Sequence, residues 1–253
     1  MTSAARISRS ADSGSYRESH KRKGADYHDT FAAIPHRAIL WKLEKRVLDR
    51  IVRERFPAKK PAYLDFACGT GRILAYLAPR ATAAVGVDVS ATMLEVARVN
   101  VPSASIIEGD ITQGLVLDPS TFDLITAFRF FPNAEPALRL QVMTKLAGYL
   151  SPGGCLVFNN HMHANSLVRR MLRAVRRDLT DEGLMSDDDV TALVGNAGLR
   201  IVATYPLGVL PFTEKRTPGP YWLTAALESA ASRMPGANAL AQNVIHVCTR
   251  AQG

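Results

Sequence analysis

The stretch Ala62–Arg72 reads A-Y-L-D-F-A-C-G-T-G-R and predicts a buried strand that turns on glycine into a helix. The apolar strand carries one acid, Asp65, near its end. Gly69 and Gly71 form the turn, and the apolar run 73–77 continues as a helix. Such a turn presents backbone N–H groups at a helix N-terminus, and its glycines let a ligand approach the backbone closely. Much of the functional interpretation depends on what binds at this turn.

Length and charge limit the possible classes of protein. The 253 residues suit one α/β domain, with or without an extension. The net charge of +8 is uneven, because residues 1–60 hold 15 Lys and Arg against 7 Asp and Glu, whereas residues 61–253 hold 16 of each kind. An enzyme acting on nucleic acid more often carries its positive charge around the catalytic cleft. The body of the chain is neutral, which disfavours nucleic acid as a partner.

The cysteines and the apolar runs predict the compartment. Cys68, Cys155 and Cys248 are far apart, without a C-x-x-C pair or a Cys/His cluster at metal spacing, so reduced thiols are expected. The sequence contains no run of about 18 apolar residues, so no membrane span is expected. Residues 1–25 lack the apolar core of a secretory signal and are expected to form a disordered basic tail. We therefore expect a cytoplasmic protein without a membrane partner.

Helical and strand patterns alternate along the rest of the chain. Apolar residues recur at helical spacing from His36 to Arg55, and the charged residues between them, Glu44 included, are assigned to the solvated face. Strands are predicted at 63–66, 83–89, 104–108, 122–128, 155–159, 200–205 and 243–249. Helices are predicted at 91–99, 135–150, 167–179, 187–197 and 220–234. Ser90 and Ser186 can cap the helices that follow them, and residues 151–154 read as a turn. The alternation predicts a parallel sheet with helices on both faces, whose last two strands need not be parallel to the rest.

Three acids mark the carboxyl ends of the first three strands, where open α/β sheets bind ligands. Asp88 can accept hydrogen bonds from both ribose hydroxyls, Asp110 can reach the exocyclic amine of an adenine, and Asp65 can pair with a cationic group. The turn excludes two common nucleotide sites, because Leu74 replaces the third glycine of a dinucleotide fingerprint and no P-loop is present. The acids therefore outline a nucleoside with a charged tail above the glycine turn.

The motifs L-D-F-A-C-G-T-G-R, G-V-D-V-S, E-G-D-I, F-D-L-I-T-A-F and L-S-P-G-G occur in this order over residues 60–160. As a set, they resemble the motif series of class I S-adenosylmethionine-dependent methyltransferases, particularly the small-molecule branch. The resemblance implies a Rossmann-like, doubly wound sheet of seven strands, mostly parallel with an antiparallel last strand. It also implies S-adenosyl-L-methionine as the cofactor.

The resemblance assigns roles to individual residues. Asp65, Gly69 and Gly71 would hold the methionine moiety, and Asp88 would bind the ribose. The remaining contacts would be Val89 and Met93 beside the adenine, Asp110 and Ile111 at its ring and amine, and Phe128 facing the methyl donor. In this family N-terminal helices often cover the cofactor, so residues 26–57 are expected to form a helical cap in which Tyr27 and Arg37 reach the cofactor carboxylate. Residues 58–253 would form the methyltransferase domain, with 206–242 shaping the acceptor pocket.

Residues beyond strands four and five leave alternatives open. His161 could act as a general base, or it could be an ordinary loop histidine. With His163 it could bind a metal, but strand four ends without the acid that catechol-type methyltransferases use, so no metal is expected. The aromatic run 128–131 could belong to the core or line a pocket. The arginines of residues 169–177 could be a solvated face or could favour an anionic acceptor.

The sequence thus predicts methyl transfer to an oxygen or nitrogen atom of a small-molecule metabolite by a monomer or homodimer. One alternative is an RNA or DNA methyltransferase that uses the basic arm. Against it, Phe130-Phe131-Pro132-Asn133 stands where amino-adenine methyltransferases carry N/D-P-P-Y/F, and no Pro-Cys nucleophile for cytosine follows. The other alternative is a cofactor-binding module without catalytic activity.

Overall fold

The computed structural model of the protein describes residues 34–175, 183–212 and 217–251. The strands are β1 (Ala62–Phe66), β2 (Ala83–Asp88), β3 (Ser105–Glu108), β4 (Phe122–Ala127), β5 (Leu150–Asn160), β6 (Leu199–Leu207) and β7 (Asn243–Arg250). The helices are α1 (Pro35–Arg55), α2 (Arg72–Leu77), α3 (Ala91–Asn100), α4 (Pro136–Tyr149), α5 (Leu167–Val175), α6 (Asp187–Asn196), α7 (Tyr221–Ala231) and α8 (Ala237–Leu240). Short 3-10 helices cover Ala78–Arg80 and Phe131–Asn133.

The seven strands form one sheet in the order β3-β2-β1-β4-β5-β7-β6. Neighbours from β3 to β5 are parallel, whereas β7 runs antiparallel to both β5 and β6. The strand order reverses between β1 and β4, and open α/β sheets bind ligands above the carboxyl ends of strands at such a switch point. The predicted sheet of seven mostly parallel strands with an antiparallel last strand is confirmed.

Both faces of the sheet are covered by helices. Successive side chains of a strand point to opposite faces, so neighbouring residues belong to different core clusters. Leu64 of β1 belongs to a core cluster that includes residues of α4 and α6. Tyr63, the preceding residue, belongs to a second cluster with α1 and α2. No helix in the described ranges has the length and apolarity needed to cross a membrane.

Helix α1 packs on the second face through one apolar side. Its buried residues are Ile39, Leu43, Glu44, Leu48 and Ile51. The assignment of every charged residue of this helix to the solvated face is therefore wrong for Glu44, which is fully buried. The reason is helical geometry, since Glu44 lies four residues before Leu48 and so falls on the same face as the apolar stripe.

Some local predictions differ from the structure. β5 begins at Leu150 and includes residues 151–154, which were expected to form a turn. Leu150 pairs with Phe122 and Cys155 with Leu124, so four residues on β5 lie opposite one on β4 and form a bulge. The basic helix predicted to reach residue 179 is described as α5 only to Val175. The predicted tail lies outside the described residues.

The two predicted helix caps had different outcomes. Ser186 accepts a hydrogen bond from the backbone N–H of Asp189, whose side chain accepts one from the Ser186 N–H, so this cap is confirmed as a capping box. Ser90 occupies the N-cap of α3 without a side-chain cap bond. Its own N–H instead donates to Asp88 Oδ1 at 2.9 Å, which makes Asp88 the acceptor of this turn.

Candidate active site at the carboxyl edge of the sheet

The glycine turn between β1 and α2 is fixed by its backbone conformation and by α3. Gly69 and Gly71 have φ values of +54° and +82°, in the left-handed region that favours glycine. A Cβ added at Gly71 would lie 3.3 Å from Val101 Cγ2 and 3.4 Å from Ala97 Cβ. Asn100 Nδ2 also donates to the Thr70 carbonyl at 2.9 Å. The turn therefore packs closely on the end of α3, and a side chain at Gly71 would require Val101 to shift.

Asp88 joins the end of β2 to this turn. Its Oδ2 accepts a hydrogen bond from the Gly69 N–H at 2.9 Å, and its Oδ1 accepts the bond from Ser90. Burial raises the pKa of Asp88, while the backbone N–H donors around it oppose that shift. A carboxylate offers about four lone-pair sites. Two bonds therefore leave acceptor capacity for hydroxyl groups of a ligand.

Asp65 is buried on β1 next to β4. Its Oδ1 accepts from Thr126 Oγ1 at 2.6 Å, and Thr126 Oγ1 also lies 2.7 Å from the Tyr63 hydroxyl. Its Oδ2 is buried without a hydrogen-bond partner among the described residues. Burial raises the pKa of Asp65 to about 7, and the hydrogen bond from Thr126, the nearby Arg72 and the backbone N–H of Leu74 oppose that shift. An unsatisfied buried carboxylate oxygen is suited to pair with a cationic donor such as the α-ammonium group of S-adenosylmethionine.

The residues predicted beside the adenine lie on both sides of Asp88. Met93, which is 5% exposed, lies above the turn, since a Cβ at Gly69 would be 3.5 Å from its Sδ. Val89 is half-buried. Asp110 follows the neighbouring strand and accepts at Oδ1 from both the N–H and the hydroxyl of Thr112. Ile111 is 2% exposed and packs in the core cluster of α4.

The aromatic run after β4 belongs to the core. Phe130 stacks edge-to-face on Phe66 at 4.9 Å and on Phe131 at 5.2 Å, and Phe131 continues the series to Phe158 at 5.0 Å. Of the two alternatives, the core interpretation therefore holds for Phe130 and Phe131, which are buried in the same cluster as Phe66 and Phe158. Phe128, the predicted neighbour of the methyl donor, is 6% exposed and packs in the core cluster of α1.

The two histidines after β5 differ in environment. His161 is half-buried. His163 is buried, with Nδ1 3.0 Å from the Ala241 carbonyl and Nε2 3.1 Å from Asp187 Oδ1, so it connects this loop to α6 and to the residue directly after α8. The described residues contain no group of three or more His, Cys, Asp or Glu that could hold a metal ion.

A polar network that the sequence interpretation missed adjoins the turn. Arg72, directly after Gly71, donates from Nη1 to Glu44 Oε2 at 2.8 Å and lies 4.3 Å above the Trp41 ring. Glu44 Oε1 accepts from Asn243 Nδ2 at 3.4 Å. The only signal in the sequence is the position of Glu44 within the apolar stripe of α1. Of the two residues predicted to reach the cofactor carboxylate, Arg37 is half-buried in the first turn of α1, and Tyr27 lies outside the described residues.

Comparison with known proteins agrees with this geometry. Residues 64–154 match the family model described as a methyltransferase domain. The chain is 30% identical over 228 residues to dTDP-4-amino-2,3,4,6-tetradeoxy-D-glucose N,N-dimethyltransferase of Saccharopolyspora spinosa, covering 84% of this chain and 88% of that protein. It is 39% identical over 93 residues to 18S rRNA (guanine-N(7))-methyltransferase of Bos taurus, covering 33% of each chain.

Among solved structures, magnesium protoporphyrin IX methyltransferase from Synechocystis PCC 6803 with bound S-adenosylhomocysteine has the same fold, with a TM-score of 0.67 at 13% identity. The match covers 93% of this chain and 98% of that one. The motif series, the strand order and the long similarity to the sugar methyltransferase all agree. The chain belongs to the class I S-adenosylmethionine-dependent methyltransferases, and its cofactor is S-adenosylmethionine.

Proposed function

We propose that this enzyme transfers a methyl group to an oxygen or nitrogen atom of a small-molecule metabolite. The observation that carries the proposal is the extent of similarity. The relative whose name specifies a dTDP-linked amino sugar aligns over 84% of this chain, whereas the rRNA methyltransferase aligns over 33%. The 93-residue match is close in length to the 91 residues of this chain that match the methyltransferase-domain model. Similarity outside that domain favours an acceptor of the first kind.

We further propose how the chain holds its cofactor. The ammonium group would pair with Asp65, whose Oδ2 is buried without a partner in the described part of the chain. Gly69 and Gly71 would admit the methionine end, and the ribose hydroxyls would donate to Asp88. The adenine would lie among Val89, Met93, Asp110 and Ile111, with Phe128 toward the methyl donor and Tyr27 and Arg37 toward the carboxylate.

The chemistry demanded of the protein itself is modest. S-adenosylmethionine supplies an electrophilic methyl group. The residues around it have to align the acceptor atom with that methyl group and exclude water, and alignment accounts for much of the acceleration in such reactions. We propose His161 as the general base that takes the proton from a hydroxyl or ammonium acceptor. Residues 206–242 would complete the acceptor pocket.

The test is an acceptor screen with methyl-labelled cofactor. The panel contains nucleotide-linked amino sugars, the corresponding hydroxy sugars, unmodified rRNA and DNA. We expect label in a small molecule and none in nucleic acid. Incorporation into rRNA alone would contradict the proposal.

One variant tests the proposed cofactor site independently of the identity of the acceptor. Asp88→Ala should abolish binding of S-adenosylhomocysteine in calorimetry, because the variant loses the proposed ribose acceptor and the bond to the Gly69 N–H. The matched control is Asp118→Ala, at an exposed position. Undiminished binding in Asp88→Ala would show that the ribose site is wrongly assigned, whatever the acceptor is.

A further inference from the structure

A series of buried polar contacts crosses the carboxyl edge of the sheet from α1 to the turn after β4. It starts at Glu44, which is fully buried and pairs with Arg72 at 2.8 Å. It continues through Asn243, at the start of β7, which donates to Glu44. Each member belongs to a different element, and all of these elements meet at the edge where the cofactor binds.

The burial of Glu44 requires its partners. A carboxylate without access to water is unfavourable unless it is paired and hydrogen-bonded, and an apolar residue would pack in the stripe of α1 at no such cost. Glu44 satisfies one oxygen with Arg72 and the other with Asn243. The Arg72 guanidinium is further confined by the ring of Trp41, which is also part of α1. Helix α1 thus holds the first residue after the glycine turn from two sides.

The second half of the series reaches the turn after β4. Asn243 Oδ1 accepts from Asn159 Nδ2 at 3.2 Å, and Asn159 Oδ1 accepts from the backbone N–H of Arg129 at 2.6 Å. Arg129 has φ +60°, a left-handed conformation that residues other than glycine seldom adopt. The bond from Asn159 therefore stabilises an unusual backbone directly after Phe128.

We propose that Glu44 is a positioning residue that couples the docking of α1 to the geometry of both the glycine turn and the Phe128–Arg129 turn. It fixes Arg72 directly and orients Asn243, which orients Asn159. The consequence is that α1 takes part in setting the shape of the cofactor site, in addition to covering a core face. The inference rests on the proposed cofactor site and is independent of the acceptor.

Glu44→Gln tests the proposal, because it keeps the size of the side chain and removes its charge. The control is Glu54→Gln on the same helix, where the carboxylate is exposed and pairs with Arg50 at 2.7 Å. Affinity for S-adenosylhomocysteine is measured by calorimetry at a temperature where each variant is folded. We expect Glu44→Gln to weaken it by about tenfold or more, in the range of ordinary coupling between sites. The control should leave it unchanged. Equal affinity in Glu44→Gln and wild type would overturn the proposal, and failure of wild type to bind would instead reject the cofactor site.

The pH profile separates positioning from a general loss of stability. Arg72 lowers the pKa of Asp65, and the other ionisable groups facing Asp65 are Tyr63, Cys68 and Asp88. Because the cofactor ammonium is proposed to pair with ionised Asp65, binding of S-adenosylhomocysteine should strengthen as the pH rises through the pKa of Asp65. Without the Glu44 charge, Arg72 lowers that pKa more strongly, so the pH at the midpoint of this rise should decrease. Arg72→Gln removes that effect, so its midpoint should move up, and this variant also serves if Glu44→Gln does not fold. Midpoints that stay at the wild-type value, or move together, would overturn the proposal.

Discussion

At the scale of single residues, Asp65 illustrates how binding and stability oppose each other. Burial raises its pKa in the folded protein to about 7, from about 3.9 for an aspartate in water. Between these two pH values the folded protein holds a proton that the unfolded chain has lost. The free energy of unfolding of the ligand-free protein therefore falls as the pH rises from about 4 to about 7 and stays low above that range.

Asp65→Asn should consequently stabilise the ligand-free protein and weaken its binding of cofactor. The amide can still accept the Thr126 hydroxyl and carries no buried charge. We expect a melting temperature a few degrees above wild type at pH 8 and a smaller difference at pH 5, measured by thermal unfolding. The exposed Asp118→Asn is the control. A lower melting temperature for Asp65→Asn at pH 8 would show that the carboxylate is not destabilising.

The same residue predicts a pH dependence of binding. A cationic ammonium group pairs with the ionised carboxylate, so wild-type affinity for S-adenosylhomocysteine should rise from pH 6 to pH 8, and Asp65→Asn should bind weakly without this rise. An identical pH profile in the variant would assign the titration to another group.

The sequence was sufficient to propose the acids of the cofactor site, but the burial of Glu44 was missed for a physical reason. Asp65, Asp88 and Asp110 could be proposed because each lies at or near the end of a strand, beside a glycine or a turn, which is local information. Glu44 looked solvated because helical periodicity identifies only apolar positions. Its partners, Arg72 and Asn243, are 28 and 199 residues away along the chain, so only the folded structure brings them together.

At the scale of elements, the glycine turn and α3 are coupled by close packing. Gly71→Ala would place a methyl group 3.3 Å from Val101 and keep a left-handed backbone that costs an L residue about 1–2 kcal/mol. We expect the melting temperature to fall by about 2–8 °C, since 1 kcal/mol corresponds to roughly 2–4 °C in a chain of this size.

Gly148→Ala is the matched control for that prediction. Gly148 lies in α4, and a Cβ there would meet no atom within 4 Å. Alanine is favoured over glycine within a helix by roughly 0.5–1 kcal/mol, so this variant should melt at or above the wild-type temperature. Equal stability of the two variants would mean that the turn tolerates a side chain and that its glycines serve only the approach of the ligand.

The elements were predictable where their patterns are local. Every strand appears near its predicted position because its apolar run is continuous. The start of β5 was missed since Pro152, Gly153 and Gly154 resemble a turn, yet pairing with β4 continues on both sides of them. The burial of Phe130 and Phe131 could not be read either, because an aromatic residue beyond a strand suits a pocket and a core equally well.

At the scale of the whole molecule, deletion of the basic N-terminal region should affect a small-molecule methyltransferase and an RNA methyltransferase differently. Deleting residues 1–25 removes six Lys and Arg and two Asp and Glu. For a small-molecule enzyme, affinity for S-adenosylhomocysteine and turnover of the small acceptor should stay within about twofold of wild type, since every residue proposed to contact the cofactor, from Tyr27 onward, is retained. An RNA methyltransferase would instead lose RNA affinity, and the salt dependence of its binding between 50 and 200 mM would become less steep, because fewer phosphates are neutralised.

A longer deletion provides the contrast that makes this comparison decisive. Removing residues 1–55 also removes α1, with Glu44 and four buried apolar side chains of the core. We expect this variant to lose S-adenosylhomocysteine binding and cooperative unfolding together, because the second face of the sheet is then exposed and Arg72 has lost its partner. If the shorter deletion already abolished cofactor binding, residues 1–25 would belong to the cofactor site. If the longer one bound the cofactor normally, α1 would have no part in shaping it.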